Sequence, residues 1–471
     1  MGVTFTKEQQ QVIDLRDRNI LVSAAAGSGK TAVLVERIIT RLTKDTPPID
    51  VDELLVVTYT DAAAAEMKER IRNAIEKALE ERPEDEHLQR QATLVHSAKV
   101  TTIHSFCLSV IRDYFHTIDL DPGFRTGEDG ELKLMKQDVV DEVLENWYQE
   151  ANPAFLYLVE SLATGKDDQH MGEIILKLYD YSRSYPNPEA WLDSCVQYYN
   201  LTSVEAFEQA PFIQKLLKDI QEVLKDIEEN LNFAKVICEE EDGPKAYLGA
   251  VDSDLMWLEK LQKADGFVEK QKILSLLEWQ GLKKNTDKQI SPVKIEMVKN
   301  IRNACKETVN SLKETYFYDE VETMLENLNA AKSNMEILSG LVKDFANAYT
   351  KKKQSKNIID FSDMEHYALQ ILTREEDGKL VPSPAAKEYQ EKFEEVMIDE
   401  YQDSNYVQEA ILTSVSSVSN GKYNVFMVGD VKQSIYRFRL ARPELFMGMY
   451  HTYSEEDARE QRIALHKNFR S

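Results

Sequence analysis

The segment Ala24-Ala25-Ala26-Gly27-Ser28-Gly29-Lys30-Thr31 constrains this chain more than any other. It follows the apolar run Ile20-Leu21-Val22 and opens a helical stretch from about Lys30 to Arg41. A strand, a small-residue turn and a helix in that order form a phosphate cradle. Small side chains let backbone N–H groups wrap an anion, and the positive end of the helix faces it. In such a loop the lysine, Lys30, contacts the β- and γ-phosphates of a nucleotide, and the hydroxyl of Thr31 ligates magnesium. Only the first position departs from the general pattern, with Ala24 in place of glycine.

The surrounding sequence predicts a parallel sheet. Leu54-Leu55-Val56-Val57 and Val100-Thr101-Thr102-Ile103 are short apolar runs, each followed by a helical stretch. Such strand–helix alternation places helices on the faces of a parallel sheet. Strand character returns at Val396-Met397-Ile398 and Val425-Phe426-Met427-Val428. Between them, helical spacing dominates, as in Leu132, Met135, Val139 and Val143. The expected fold is therefore an α/β P-loop domain split by an all-helical insertion. Its first half is residues 1–122, the insertion 123–352 and its second half 353–471. Pro122-Gly123 marks the entrance to the insertion, and the polar run from Lys351 to Lys356 reads as a solvated linker at its exit.

Composition limits the alternatives. The 471 residues carry a net charge of −25, and residues 121–350 alone hold 25 Lys and Arg against 43 Asp and Glu. An acidic surface argues against indiscriminate phosphate binding, but a local groove remains compatible with it. No apolar run reaches the roughly 18 residues of a membrane span. The four cysteines, Cys107, Cys195, Cys238 and Cys305, have no metal-ligand spacing and are too few for a disulfide scaffold. Reduced thiols and a cytoplasmic location are expected, with no membrane contact.

The complement of the loop is Val396-Met397-Ile398-Asp399-Glu400. A strand delivers Asp399 to the magnesium shell, and Glu400 polarises the attacking water. Gln433, after Gly429-Asp430, stands where a side chain can sense the γ-phosphate. Tyr59, His104, Phe106, Tyr436 and Phe438 follow strand ends, where rings can stack on single-stranded bases. Thr58 and Thr60 beside them can position phosphates. Core packing is the competing reading for each ring. Asp360-Phe361-Ser362-Asp363 reads as a helix start capped by Asp360 or Ser362, without chemistry of its own.

Together these strings resemble the UvrD/Rep group of superfamily 1 DNA helicases, and within it the AddA (RexA) family of helicase–nuclease proteins. FTKEQQQVI, SAAAGSGKT, VVTYTDAAAAEMKERI, TTIHSF, IDFSDMEH, VMIDEYQDSNYVQEAIL, FMVGDVKQSIYRFRLARPELF and LHKNFRS carry the resemblance, in the family's order. It implies that Gln9 meets the adenine ring, that Phe469 stacks on it and that Arg470 faces the γ-phosphate. Ala24, Ala25, Ala26, Gly27, Ser28, Gly29, Lys30 and Thr31 bind the nucleotide; Thr31 and Asp399 hold magnesium. Glu400, Gln402, Gln433 and Arg470 serve hydrolysis. Thr58, Tyr59, Thr60, His104, Phe106, Tyr436 and Phe438 face DNA. Tyr59 replaces the usual Phe and Asp61 the usual Asn, so Asp61 is left off the contact set.

The resemblance further implies a RecA-like fold, ATP and Mg2+ as cofactors, and 3′→5′ movement on single strands. It implies broken double-stranded DNA as substrate and a heterodimer with an AddB/RexB-type partner. A second motor domain and a nuclease domain are expected beyond Ser471, making the chain an N-terminal fragment. A nucleotide-gated DNA-binding or assembly module is the alternative class, and a small-molecule P-loop kinase the third.

Overall fold

The computed structural model describes residues 5–25, 27–118, 120–162, 169–285, 289–430, 432 and 440–465. Six strands form one sheet: β1 (Asn19–Ala24), β2 (Leu54–Thr58), β3 (Lys99–Thr102), β4 (Glu395–Ile398), β5 (Val425–Gly429) and β6 (Glu460–Leu465). Their order is β6-β1-β5-β4-β2-β3, and every neighbouring pair is parallel. Two stretches of chain separated by almost 300 residues thus interleave in one sheet. The strand bearing the phosphate loop, β1, and the strand ending in the acidic pair, β4, flank β5.

The strands are apolar because the sheet is covered on both faces. Leu21, Leu55, Val57, Val396, Ile398 and Met427 pack into one buried cluster with the helices Ile103–Tyr114, Phe361–Leu372 and Tyr406–Val415. Their neighbours Ile20, Val22, Leu54, Val56, Met397, Phe426 and Val428 enter a second cluster with Lys30–Thr43 and Asp61–Glu81. The alternation is the period of two that a strand imposes. Glu395, at the start of β4, is a buried exception. Its carboxylate takes Arg37 Nη2 at 2.6 Å and Arg41 Nη1 at 3.0 Å.

The chain divides into two compact units, residues 1–192 with 340–471, and residues 193–339. The first contains the sheet and also the helices Asp129–Glu150, Pro153–Leu162 and Gln169–Ser182. These helices were expected within the insertion, yet they pack in the unit that holds the sheet. The second unit is helical. Pro211–Glu239, Leu248–Lys263 and Pro292–Tyr316 close around Ile220, Leu224, Leu231, Leu258 and Val309. Its buried pair Asp254 and Arg302 is closed by two hydrogen bonds, and Arg302 also reaches the carbonyl of Gln280.

The Lys351–Lys356 run is not a solvated linker. Residues to Ser355 are the last turns of the helix Val321–Ser355, and Lys353 is buried. Its ammonium lies 2.8 Å from Asp360 Oδ2 and 2.5 Å from Asp363 Oδ2, over the Tyr349 ring. Two buried carboxylates compensate the desolvated cation, which sequence position alone does not reveal. Among the described residues no helix is long and apolar enough to cross a membrane.

Candidate nucleotide site and nucleic-acid cleft

The loop after β1 owes its path to Gly27 and Gly29, with φ of 78° and 84°. A side chain at Gly29 would be strained and would meet Gln9 Nε2 at 3.2 Å. Gly29 is the N-cap of Lys30–Thr43 and brings no capping side chain to that helix end, where N–H groups lack intrahelical partners. Ser28 Oγ is buried without a hydrogen-bond partner among the described residues. Unsatisfied donors around a left-handed loop suit a polyphosphate. Gln9 is buried, with Oε1 accepting from the Thr6 backbone and Nε2 donating to the Ser28 carbonyl. Its amide braces the loop, a role the sequence did not suggest.

Lys30 Nζ points at the acidic turn, 3.4 Å from Glu400 Oε2. The Asp399 N–H donates to the Val57 carbonyl, and Asp399 Oδ1 accepts from the Glu400 N–H at 3.0 Å. Glu400 itself is left-handed, φ 51° and ψ 43°. For a residue other than glycine such a conformation costs about 1–3 kcal/mol and clusters at functional sites. Burial and the adjacent Glu400 push the Asp399 carboxyl up to about 6. A cation at this point relieves that repulsion. Among the described residues no group of three or more His, Cys, Asp or Glu could hold a metal ion. Magnesium, which takes one or two side chains plus substrate phosphates, fits Thr31 and Asp399.

Gln402 ties this turn to the next strand. Its Nε2 donates to Glu400 Oε2 at 2.8 Å and to Asp403 Oδ2 at 3.1 Å, while its Oε1 accepts from the Asp430 N–H. Gly429 is required here, since a Cβ would lie 2.5 Å from Gln402 Oε1. Gln402 is therefore a positioning residue between Glu400 and the end of β5. Ala26, Gln433, Tyr436, Phe438, Phe469 and Arg470 lie outside the described residues.

The expected DNA residues separate into two groups. Tyr59 and His104 line one cleft of about 970 Å³, together with Lys177, Arg183, Phe361 and Asn405. The Tyr59 hydroxyl donates to the Asp403 carbonyl at 2.7 Å, so the ring is fixed to the acidic turn. Phe106, in contrast, is a core residue, 1% exposed and edge-on to Tyr389. The helix Ile103–Tyr114 turns Phe106 inward, and in this position it cannot stack on a base. Thr58 is also buried, its hydroxyl donating to the Thr60 carbonyl, while Thr60 is exposed and caps the helix Asp61–Glu81. Phe106→Ala is expected to lower unfolding free energy by about 3–5 kcal/mol, read from a denaturant titration.

Sequence reasoning missed Glu365, Asn405 and Gln408. Glu365 is buried, and its carboxylate gathers His104 Nε2 at 3.0 Å, Asn405 Nδ2 at 3.2 Å and Gln408 Nε2 at 2.7 Å. The available signal was the string Asp360–His366, with Asn405 and Gln408 three residues apart as a capping box. His366 is held down at about 3 by burial and by Arg183, whose carbonyl its Nε2 meets.

A parallel sheet with a phosphate loop on one strand and an acidic pair two strands away defines a P-loop NTPase of RecA-like fold. The chain belongs to the family of the UvrD/REP helicase N-terminal domain, whose model matches residues 5–454. It is 48% identical over 473 residues to AddA, the larger component of the ATP-dependent helicase/nuclease, from Lachnoclostridium phytofermentans, covering 99% of this chain and 34% of that protein. Proteins of the same description in Clostridium perfringens strain SM101 and Bacillus licheniformis are 44% and 42% identical, each over 100% of this chain and 37% and 38% of their own lengths. The chain thus spans about a third of the length of the curated relatives it matches. Family membership implies ATP use.

Proposed function

We propose that this chain is the first motor domain of an ATP-dependent 3′→5′ DNA helicase that processes broken double-stranded DNA within a helicase–nuclease. One observation carries the reading: the turn from Asp399 to Asn405 belongs to both sites. Glu400 faces Lys30 at one end, and Asn405 lines the cleft and holds Glu365 at the other. Tyr59, a cleft residue, grips the same turn at Asp403. A shift of Glu400 and Gln402 on hydrolysis is therefore transmitted to the cleft by direct hydrogen bonds.

In this mechanism the loop amides and Lys30 bind the triphosphate, and Glu400 orients the attacking water and accepts its proton. Magnesium held by Thr31 and Asp399 supplies charge neutralisation of the β- and γ-phosphate oxygens. Gln402 keeps Glu400 aimed and links it to β5. Tyr59 and His104 contact single-stranded DNA. Residues 1–122 and 353–471 form the motor, and 123–352 the inserted segment. Kinship with helicase/nuclease proteins further suggests a cytoplasmic heterodimer with an AddB/RexB-type partner.

The test is phosphate release from ATP by the protein carrying this chain, with and without single-stranded DNA. Turnover that rises with DNA is the expected result. DNA binding without turnover would support a nucleotide-gated module instead, and indifference to DNA would contradict both.

A further inference from the structure

Phe361 opens the helix Phe361–Leu372 and is 51% exposed. An aromatic ring left in water forfeits its burial energy, so its exposure on a rigid element asks for an occupant. The element is rigid. Asp360 caps the helix, its carboxylate accepting from the Asp363 N–H, and Asp363 returns a bond to the Asp360 N–H. Lys353 clamps both carboxylates from below, and Arg183 Nε donates to Ser362 Oγ at 2.7 Å.

The ring stands between two depressions. It lines the 970 Å³ cleft and also a neighbouring one of about 420 Å³, and Asp129, Asp180 and Ser362 are common to both. On the cleft side the His104 ring lies 5.0 Å away at 59°. Lys177 stands in the cleft, and Lys133 and Lys136 stand in the second depression. Two acidic residues of these walls are already engaged. Asp180 pairs with Lys136 at 2.7 Å, and Glu365 with His104, Asn405 and Gln408. A fixed aromatic face with cations to either side matches the requirements of a single strand, which stacks its bases and neutralises its phosphates.

We propose that Phe361 is a base-stacking residue for single-stranded DNA, on a ridge where the strand passes from the cleft to the second depression, with Lys177 and Lys133 beside its phosphates. The inference rests on the cleft being a DNA site. Stacking tolerates any base, so the contact is independent of sequence.

The test measures affinity for a fluorescein-labelled oligothymidylate and for an abasic oligomer of equal length, by anisotropy. Phe361→Ala is expected to weaken oligothymidylate binding by about tenfold, the scale of one lost stack. Phe361→Trp restores most of that loss, and the abasic oligomer binds Phe361→Ala and the unaltered protein alike. Equal losses on both oligomers would overturn the stacking role, since a fold defect does not discriminate between them. Unchanged binding by Phe361→Ala beside weakened binding by His104→Ala would sink this inference and leave the cleft reading intact. No binding by the unaltered protein, or none that responds to either variant, overturns both.

Discussion

Lys30→Ala is expected to reduce ATP turnover by roughly 10³-fold or more, to the background of a phosphate-release assay. Lys30 is the side-chain cation on the phosphate loop, its ammonium aimed across the site at Glu400. The developing charge on the γ-phosphate oxygens needs a positive partner already in place. Alanine removes that partner and also leaves Asp399 and Glu400, adjacent carboxylates, without the nearby ammonium. Repulsion of an incoming polyphosphate then increases, so nucleotide affinity should fall together with turnover. The ion pair itself is partly exposed and long, so little folding stability depends on it. A protein that melts normally and still hydrolyses ATP at the unaltered rate would show that the loop is not a catalytic nucleotide site.

Glu400→Gln is expected to separate binding from chemistry. Its amide keeps the shape of the side chain and can still offer an oxygen to Gln402 Nε2, which donates to Glu400 Oε2 at 2.8 Å. The carboxylate that accepts a proton from water is gone, and general-base catalysis is worth typically 10²–10⁴-fold. Loss of the contact to Lys30 frees the ammonium for phosphate, so Mg–ATP binding should hold or tighten. A fluorescent ATP analogue measures the first property and single-turnover hydrolysis the second. Lost binding with undiminished hydrolysis of whatever nucleotide is bound would contradict the role given to Glu400.

Much of this was legible in one dimension because the relevant signals are local. A phosphate loop is a run of consecutive residues whose backbone makes the site, so Gly27, Gly29 and Lys30 declare it by themselves. Buried parallel strands read as short apolar runs, and the sheet contains each of the strands that were expected from such runs. One strand, Glu460–Leu465, escaped because alternating polar residues at a sheet edge give no such run.

What only the tertiary structure decided depends on direction and on partners far away in sequence. Phe106 and His104 are two residues apart after the same strand, yet the helix from Ile103 sends one ring into the core and the other into the cleft. Lys353 looks like any lysine in a basic run, and becomes a buried clamp only because Asp360 and Asp363 fold back over it. Glu365 acquires its role from His104, 261 residues earlier, and from Asn405 and Gln408 on another helix. The sequence by itself determined the chemistry of the nucleotide site, because contiguous backbone makes that site. The cleft was decided by packing, because side chains from separate elements must converge before they have anything to bind.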